Sequence, residues 1–320
     1  TAITTGDNNV AVGFEALKTE DANGDNVAVG YQALKTLNAG VDSFNTAVGY
    51  QAGLSVTTGI SNVLIGAGAG DALTDADENT AVGMNALSSD TQGSDSVAIG
   101  TGALFTQNFT TQTSVLNVAA GYQAGEQITT GNQNTLIGGV AGDELTDADF
   151  NVAIGTSALG SDTLGSHSVA VGRRALLEQN FTTATDTYNV AVGSSAGQNV
   201  TTGTLNTLVG GLAGDAITTG THNNAFGYDS LGATTEGQFN NAFGEAALLS
   251  NTTGSSNIAM GGSALRNNTD RSDNTAIGES SLRENVNGAR ATAVGSGSLQ
   301  KPKPQHRHRY LQRSCRLSRR

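Results

Sequence analysis

Short apolar triplets recur along this chain, each introduced by a polar residue and closed by glycine. In Asn26-Val27-Ala28-Val29-Gly30 the order Val, Ala, Val has period two. That is the signature of a strand, with Val27 and Val29 on one face and Ala28 on the other. β-Branched residues favour the strand, and the closing glycine disfavours helix. The same pentad, N-x-A-[VI]-G in type, occurs seventeen times, with its glycine running from Gly13 to Gly295. Of the sixteen intervals, thirteen are 17 residues, one is 19 and two are 21. A repeat of 17 is too short for a helical pair, which needs about 33 residues, and it predicts a solenoid of stacked coils. A second short strand is expected near Ala33 and Leu34. Thr-Thr-Gly at 57–59, 129–131, 201–203 and 218–220 is expected to turn through a positive-φ glycine. Residues 45–116 match 117–188 at a shift of 72, so the coils are grouped in blocks of four.

The columns of the repeat acquire roles once the coils are stacked at about 4.8 Å, which makes a rod roughly 80 Å long. Four residues before the glycine stands Asn in fourteen of seventeen copies; Ser96, Ser168 and Ala291 are the exceptions. Stacked, Asn9, Asn26, Asn45, Asn62, Asn79, Asn117, Asn134, Asn151, Asn189 and Asn206 form a ladder of amides from coil to coil. Val and Ile take the part of core, and Ala and Gly that of close-contact positions. Both strand faces are apolar, so one fills the coil and the other is left to pack on neighbouring chains. This favours an oligomer.

Composition agrees with a thin core: 43 Gly, no Trp and 5% aromatic residues among 320. All 28 acidic residues lie in 1–300, against half of the 16 Lys and Arg. Such a body is a poor partner for nucleic acid or for anionic membranes. No apolar run approaches ~18 residues, so no membrane-spanning helix and no direct membrane insertion are expected. The only cysteine is Cys315, so neither disulfides nor a thiolate site serve the repeat. Residues 1–300 are the repeat domain. Residues 301–320 leave the pattern, carry both prolines and eight basic residues, and read as a disordered or out-of-frame tail. The sequence starts at Thr1 without a signal-peptide pattern, which is read as targeting segments removed or as a fragment of a larger chain.

Asn26-Val27-Ala28-Val29-Gly30-Tyr31-Gln32-Ala33-Leu34 and Asn45-Thr46-Ala47-Val48-Gly49-Tyr50-Gln51-Ala52-Gly53 resemble the head repeats of trimeric autotransporter adhesins, which also occur in bacteriophage tail fibres. The resemblance spans residues 6–300. It implies an all-β, left-handed parallel β-roll of about seventeen coils, assembled as a homotrimeric rod. It also implies an extracellular place, on a bacterial cell surface or a virion fibre, and attachment to a host-surface glycan or protein receptor. The period of 17 is longer than the usual head repeat, so larger loops are expected. No coiled-coil stalk or anchor barrel follows the pattern, so membrane anchoring is not expected of this chain. A self-assembled extracellular filament is the alternative, and an ice-binding solenoid a remoter one.

Function, on this reading, sits in the loops. The two 21-residue coils carry Phe105–Thr111 and Leu177–Thr183. Four coils apart, they fall on one side of the rod about 20 Å from each other. Phe105, Asn108, Phe109, Asn180, Phe181 and Tyr188 are the candidate receptor contacts, with exposed aromatics as the anchors. The alternative is a loop packed over the neighbouring strand edge. Asp75, Asp77, Asp147 and Asp149 form D-x-D pairs, the residue type that calcium prefers. Known calcium-loop patterns are absent, so these are read as solvated acidic turns. The glycine run at 66–70 lacks the Lys and the helix of a phosphate loop. His167 and His222 stand 55 residues apart and assemble no triad. No catalytic residue, resident metal or cofactor is expected.

Overall fold

A computed structural model describes residues 6–20 and 24–300; the expected tail lies outside the described residues. The described residues contain no helix. Seventeen three-residue strands, from Val10–Val12 to Thr292–Val294, form one parallel sheet. Each strand pairs with that of the next coil, in register: Val27 opposite Thr46, Ala47 opposite Leu64, Ala225 opposite Ala242. Every strand is the three residues before a motif glycine, so the sequence period is the structural period. Coils of 17, 19 and 21 residues keep this register, because the extra residues leave the strand untouched.

The strand faces are the reverse of what the sequence led us to expect. Ala28 is fully buried, while Val27 and Val29 lie half-exposed on the outside. The core is built from the position two before the glycine (Ala, or Leu64, Leu136 and Leu208) and from those three, four and seven after it, such as Ala33, Leu34 and Leu37. The cause is width. A 17-residue coil brings its strand and the wall opposite it close together, and only a small strand residue fits beside the Leu reaching across. The branched residues take the outer pleated surface, where they pack well against their cross-strand neighbours.

Nor is there a second strand at Ala33 and Leu34. The four residues after each motif glycine make a tight corner in which the second and fourth are left-handed: Gln32 (φ 58°) and Leu34 (φ 47°). Leu87, Leu159 and Leu231 repeat this, and Gly53, Gly70 and Gly125 take the same place in other coils. Corners bond to corners, as in Leu34 N–H to Ala52 O (3.1 Å) and Gly53 N–H to Ala69 O (3.0 Å). The Thr-Thr-Gly glycines do not use positive φ. They are required by contact, since a Cβ on Gly59 would strike the Ala76 carbonyl and one on Gly220 would lie 2.6 Å from the Gly237 carbonyl. The motif glycines need both freedoms. Their φ lies near +120 to +150°, and a Cβ on Gly66 would strike the Gly83 carbonyl.

Candidate functional site

The asparagine column is structural, and its chemistry is more specific than stacked amides. Asn62 N–H donates to Asn45 Oδ1 (2.9 Å), and Asn79 N–H to Asn62 Oδ1 (3.0 Å). Each Nδ2 turns instead to a carbonyl of its own coil: Asn45 to Gly59 O (2.8 Å), Asn62 to Ala76 O (2.8 Å) and Asn79 to Gly93 O (2.9 Å). One buried amide thus ties coil to coil and pins the turn of its own coil. Asn9, Asn26, Asn117, Asn134, Asn151, Asn189 and Asn206 accept from the next coil in the same way. Amide-to-amide contacts, 3.1–3.3 Å where they occur, are the lesser part.

Where Ser replaces Asn, a buried network stands in. Gln107 Nε2 donates to Ser96 Oγ (3.2 Å) and to Asp90 Oδ2 (2.6 Å), while Gln107 Oε1 accepts from Asn117 Nδ2 (2.9 Å). Asp90 Oδ1 accepts from Gly93 N–H (3.0 Å) and Phe109 N–H (2.9 Å). Ser168, Asp162, Gln179 and Asn189 repeat it four coils later. These buried carboxylates are held by donors on several sides, which is the requirement for a charged group inside a fold. Their partners join one coil to the next.

The enlarged coils correct the picture of aromatic anchors. Phe181 is only 6% exposed, and Phe105 and Phe109 are half-buried. Phe181 is therefore packed, as the alternative has it, and Phe105 and Phe109 keep part of their surface in water. Asn108 and Asn180 project to solvent, and so does Tyr188, at 51%. The D-x-D carboxylates are spent as rungs between coils. Asp75 accepts from Thr58 Oγ1 and Asp77 from Ile60 N–H (2.8 Å); Asp147 and Asp149 do the same with Thr130 and Asn132. Among the described residues no three His, Cys, Asp or Glu side chains converge as a metal set. No helix there is long and apolar enough to cross a membrane.

The period also arranges surfaces that motif scanning passed over. One is the outer sheet face, with a Val/Ile column led by Val48, Ile65, Ile99 and Ile137, and beside it a Val/Thr column. A second lies five before each glycine, where a left-handed residue projects outward. There Phe150, His167 and Tyr188 stack at centroid distances of 4.9 and 5.1 Å, and His222 stacks on Phe239 at 4.6 Å. A third follows the glycine, where Phe14, Tyr31 and Tyr50 stack at 5.4 and 5.3 Å. Registering the sequence on its glycines and reading every second column would have found all three. An open groove of about 390 Å³ runs beside the two-residue strands Gly93–Ser94 and Thr113–Ser114, lined by Asp77, Glu78, Asp95 and Gln112.

Charge perturbations mark strain in the coil more than chemistry. Burial raises the Asp143 carboxyl to about 6, aided by nearby Glu144 and Glu126. Burial likewise raises Asp71 and Asp215, the equivalents one block before and after. Oδ1 of both is buried without a partner. Lys18, then Lys35 and Gln32, hold the Glu15 carboxyl down at about 2. Acidic neighbours contribute at two of these places, Glu144 and Glu126 at Asp143 and Asp229 at Asp215. No protein-family model and no curated protein matches this chain.

Proposed function

We propose that this chain is a non-enzymatic, adhesive fibre segment, working outside the cell as a homotrimeric rod that attaches to a host-surface glycan or protein. The observation that carries the reading is the apolar outer face of the sheet. Its column one before the glycine is apolar in all seventeen strands, beside a mixed column of Val, Ile, Thr and Asn, and in a single chain the face is half-exposed or exposed to water. A face roughly 80 Å long and ~10 Å wide offers about 800 Å² per chain, enough for a stable protein interface. A continuous exposed apolar stripe of this length marks an interaction surface. Loops and outward columns, free of the core, carry the receptor contacts, with Asn108, Asn180 and Tyr188 as the exposed members.

A bacteriophage tail fibre or a self-assembled filament uses the same construction with a different attachment. Ice binding is disfavoured by the outer columns themselves. Thr46, Thr80 and Thr135 alternate with Val63, Val97 and Val118, and Asn224, Asn241 and Ile258 follow, so no threonine row runs the length of the face.

Native mass spectrometry tests the assembly. The expected species is three chains, and Ile65→Lys together with Ile99→Lys gives folded monomers with an unchanged β-sheet spectrum. A wild-type monomer overturns the trimer. Loss of cell attachment on Tyr188→Ser, with the trimer intact, is the expected result for the adhesive role.

A further inference from the structure

Five Asn-x-Ser/Thr sequences occur in the described residues, at Asn108, Asn180, Asn199, Asn251 and Asn267. In a chain this rich in Asn and Thr the pattern itself says little. The fold sorts the five sharply. N-Glycosylation needs a free, solvent-facing side-chain amide on an exposed segment. Asn251 is buried, and its Nδ2 donates to Gly254 O (2.9 Å) and Thr234 Oγ1 (3.3 Å). Asn267 is half-buried, and its Nδ2 is committed to Glu284 Oε2 (2.8 Å). Asn199 is exposed, but the hydroxyl two residues on, Thr201 Oγ1, donates to the Thr218 carbonyl (3.2 Å).

Asn108 and Asn180 combine what each of these lacks in part. Both side chains are exposed, and in each only Oδ1 is engaged, accepting from Thr91 and Thr163 respectively (3.2 Å). Their Nδ2 groups make no hydrogen bond to the protein. Thr110 and Thr182, the hydroxyl residues of the two sequences, are also exposed and unengaged. The backbone beneath is fixed. Asn108 N–H donates to Thr129 O (2.9 Å) and Asn180 N–H to Thr201 O (3.0 Å). Phe109 and Phe181 are tied by N–H to Asp90 and Asp162 (2.9 and 3.0 Å). Each site is therefore an acceptor held outward on a rigid coil. The two sites occupy equivalent positions four coils apart, about 20 Å along the same side of the rod.

We propose that Asn108 and Asn180 are N-glycosylation acceptors, each carrying a sugar on Nδ2. The donor is a sugar whose anomeric carbon bears a phosphate leaving group, delivered by a transferase that reads Asn-x-Thr. Nδ2 forms the new N–C bond, the anomeric C–O bond breaks with its electron pair leaving on phosphate, and one Nδ2 proton passes to a base of the transferase. The fold loses nothing, because no bond to Nδ2 is broken.

The test is peptide mapping by mass spectrometry on the full chain isolated from its native cells, beside Asn108→Gln/Asn180→Gln and Thr110→Ala/Thr182→Ala variants. The expected result is a hexose or N-acetylhexosamine increment on the Asn108 and Asn180 peptides, lost in both double variants, with melting unchanged. Unmodified Asn108 and Asn180 peptides in the native-source protein overturn the proposal. So does an increment that survives Asn108→Gln/Asn180→Gln, which places the sugar on a hydroxyl. Equal occupancy at Asn199 overturns the geometric selection. None of these outcomes depends on the chain being trimeric or adhesive.

Discussion

Replacing Asn62 by Ala tests the ladder at its middle. Asn62 is fully buried between Asn45 and Asn79. The substitution removes the acceptor of Asn79 N–H (3.0 Å) and the donor to Ala76 O (2.8 Å). Asn62 N–H keeps its bond to Asn45 Oδ1, because that bond uses the backbone. Two buried backbone groups are left unpaired. At ~1–3 kcal/mol each the loss is about 4 kcal/mol, against total stabilities of about 5–15. Stacked repeats couple only to their neighbours, so the damage is local. Amide hydrogen exchange is therefore the assay of choice. Asn79 and the strands Val63–Ile65 and Thr80–Val82 are expected to lose protection by about a thousandfold, the equivalent of ~4 kcal/mol. Strands eight coils away keep theirs. Ser61→Ala, one residue earlier on an exposed side chain, is the control. If Asn62→Ala behaves like the control, the amide column is decoration and the account of the fold fails.

Three further expectations follow from particular contacts. Gly66→Ala meets both a φ of +137° and the Gly83 carbonyl, whereas Gly295→Ala meets a φ of +119° with no atom within 4 Å; strain alone costs ~1–3 kcal/mol, so Gly295→Ala melts a little early and Gly66→Ala melts much earlier or fails to fold. Asp143 has its carboxyl raised by burial from 3.8 to about 6, so the folded state favours the protonated form; that stability is full below pH ~4 and is lost as pH rises through ~6. Asp143→Asn is then neutral at pH 4 and stabilising at pH 8 by ~1 kcal/mol, discounted for the open side of the carboxyl, as thermal melts at the two pH values will read. Leu64→Ala costs ~3 kcal/mol, but Gly70→Leu in the same chain recovers part of it, because a Cβ on Gly70 lies 2.7 Å from Leu64 Cδ2; a double-mutant cycle in urea checks for coupling above ~1 kcal/mol.

The sequence made the coils, their number and their register legible, because each of those rests on a period that stacking preserves. It did not make the strand face legible. Val and Ala are both apolar, and hydrophobicity ranks Val as the core residue; only the width of the coil, a three-dimensional fact, puts Ala28 inside and Val29 outside. The corner after the glycine was mistaken for a strand because Ala-Leu carries no turn signal of its own. The signal was in the column. Leu34, Gly53, Gly70 and Leu87 occupy one position in successive coils, and a place that alternates Leu with Gly is one with positive φ. Phe181 misled for a related reason, since an aromatic in an inserted loop looks like an anchor until its neighbours are placed.

The enlarged coils show how an insertion and a substitution are joined. Ser96 and Ser168 are too short to reach the turn carbonyl that Asn reaches in the coils before them. Each opens one of the two 21-residue coils. In each, the residue seven after the glycine is Gln, reaching inward beside a buried Asp from the coil before. That Asp holds the same interior position in its own coil, with Leu87 or Leu159 at the corner, whereas at Leu73 and Ile128 the interior position is aliphatic and the corner residue is Gly. Apart from the 19-residue coil, where Leu34 and Leu37 are both inside, the interior has two solutions: Gly at the corner with an aliphatic residue inside, or Leu at the corner with a polar residue inside. The second supplies the amide that the ladder lacks when Asn becomes Ser. Restoring Asn at position 96 without changing Gln107 crowds a second amide into a satisfied network, and removing Gln107 alone takes from Asp90 Oδ2 its donor and from Asn117 Nδ2 one of its two acceptors. The four added residues thus accompany a changed core, and the strands before and after them stay in register.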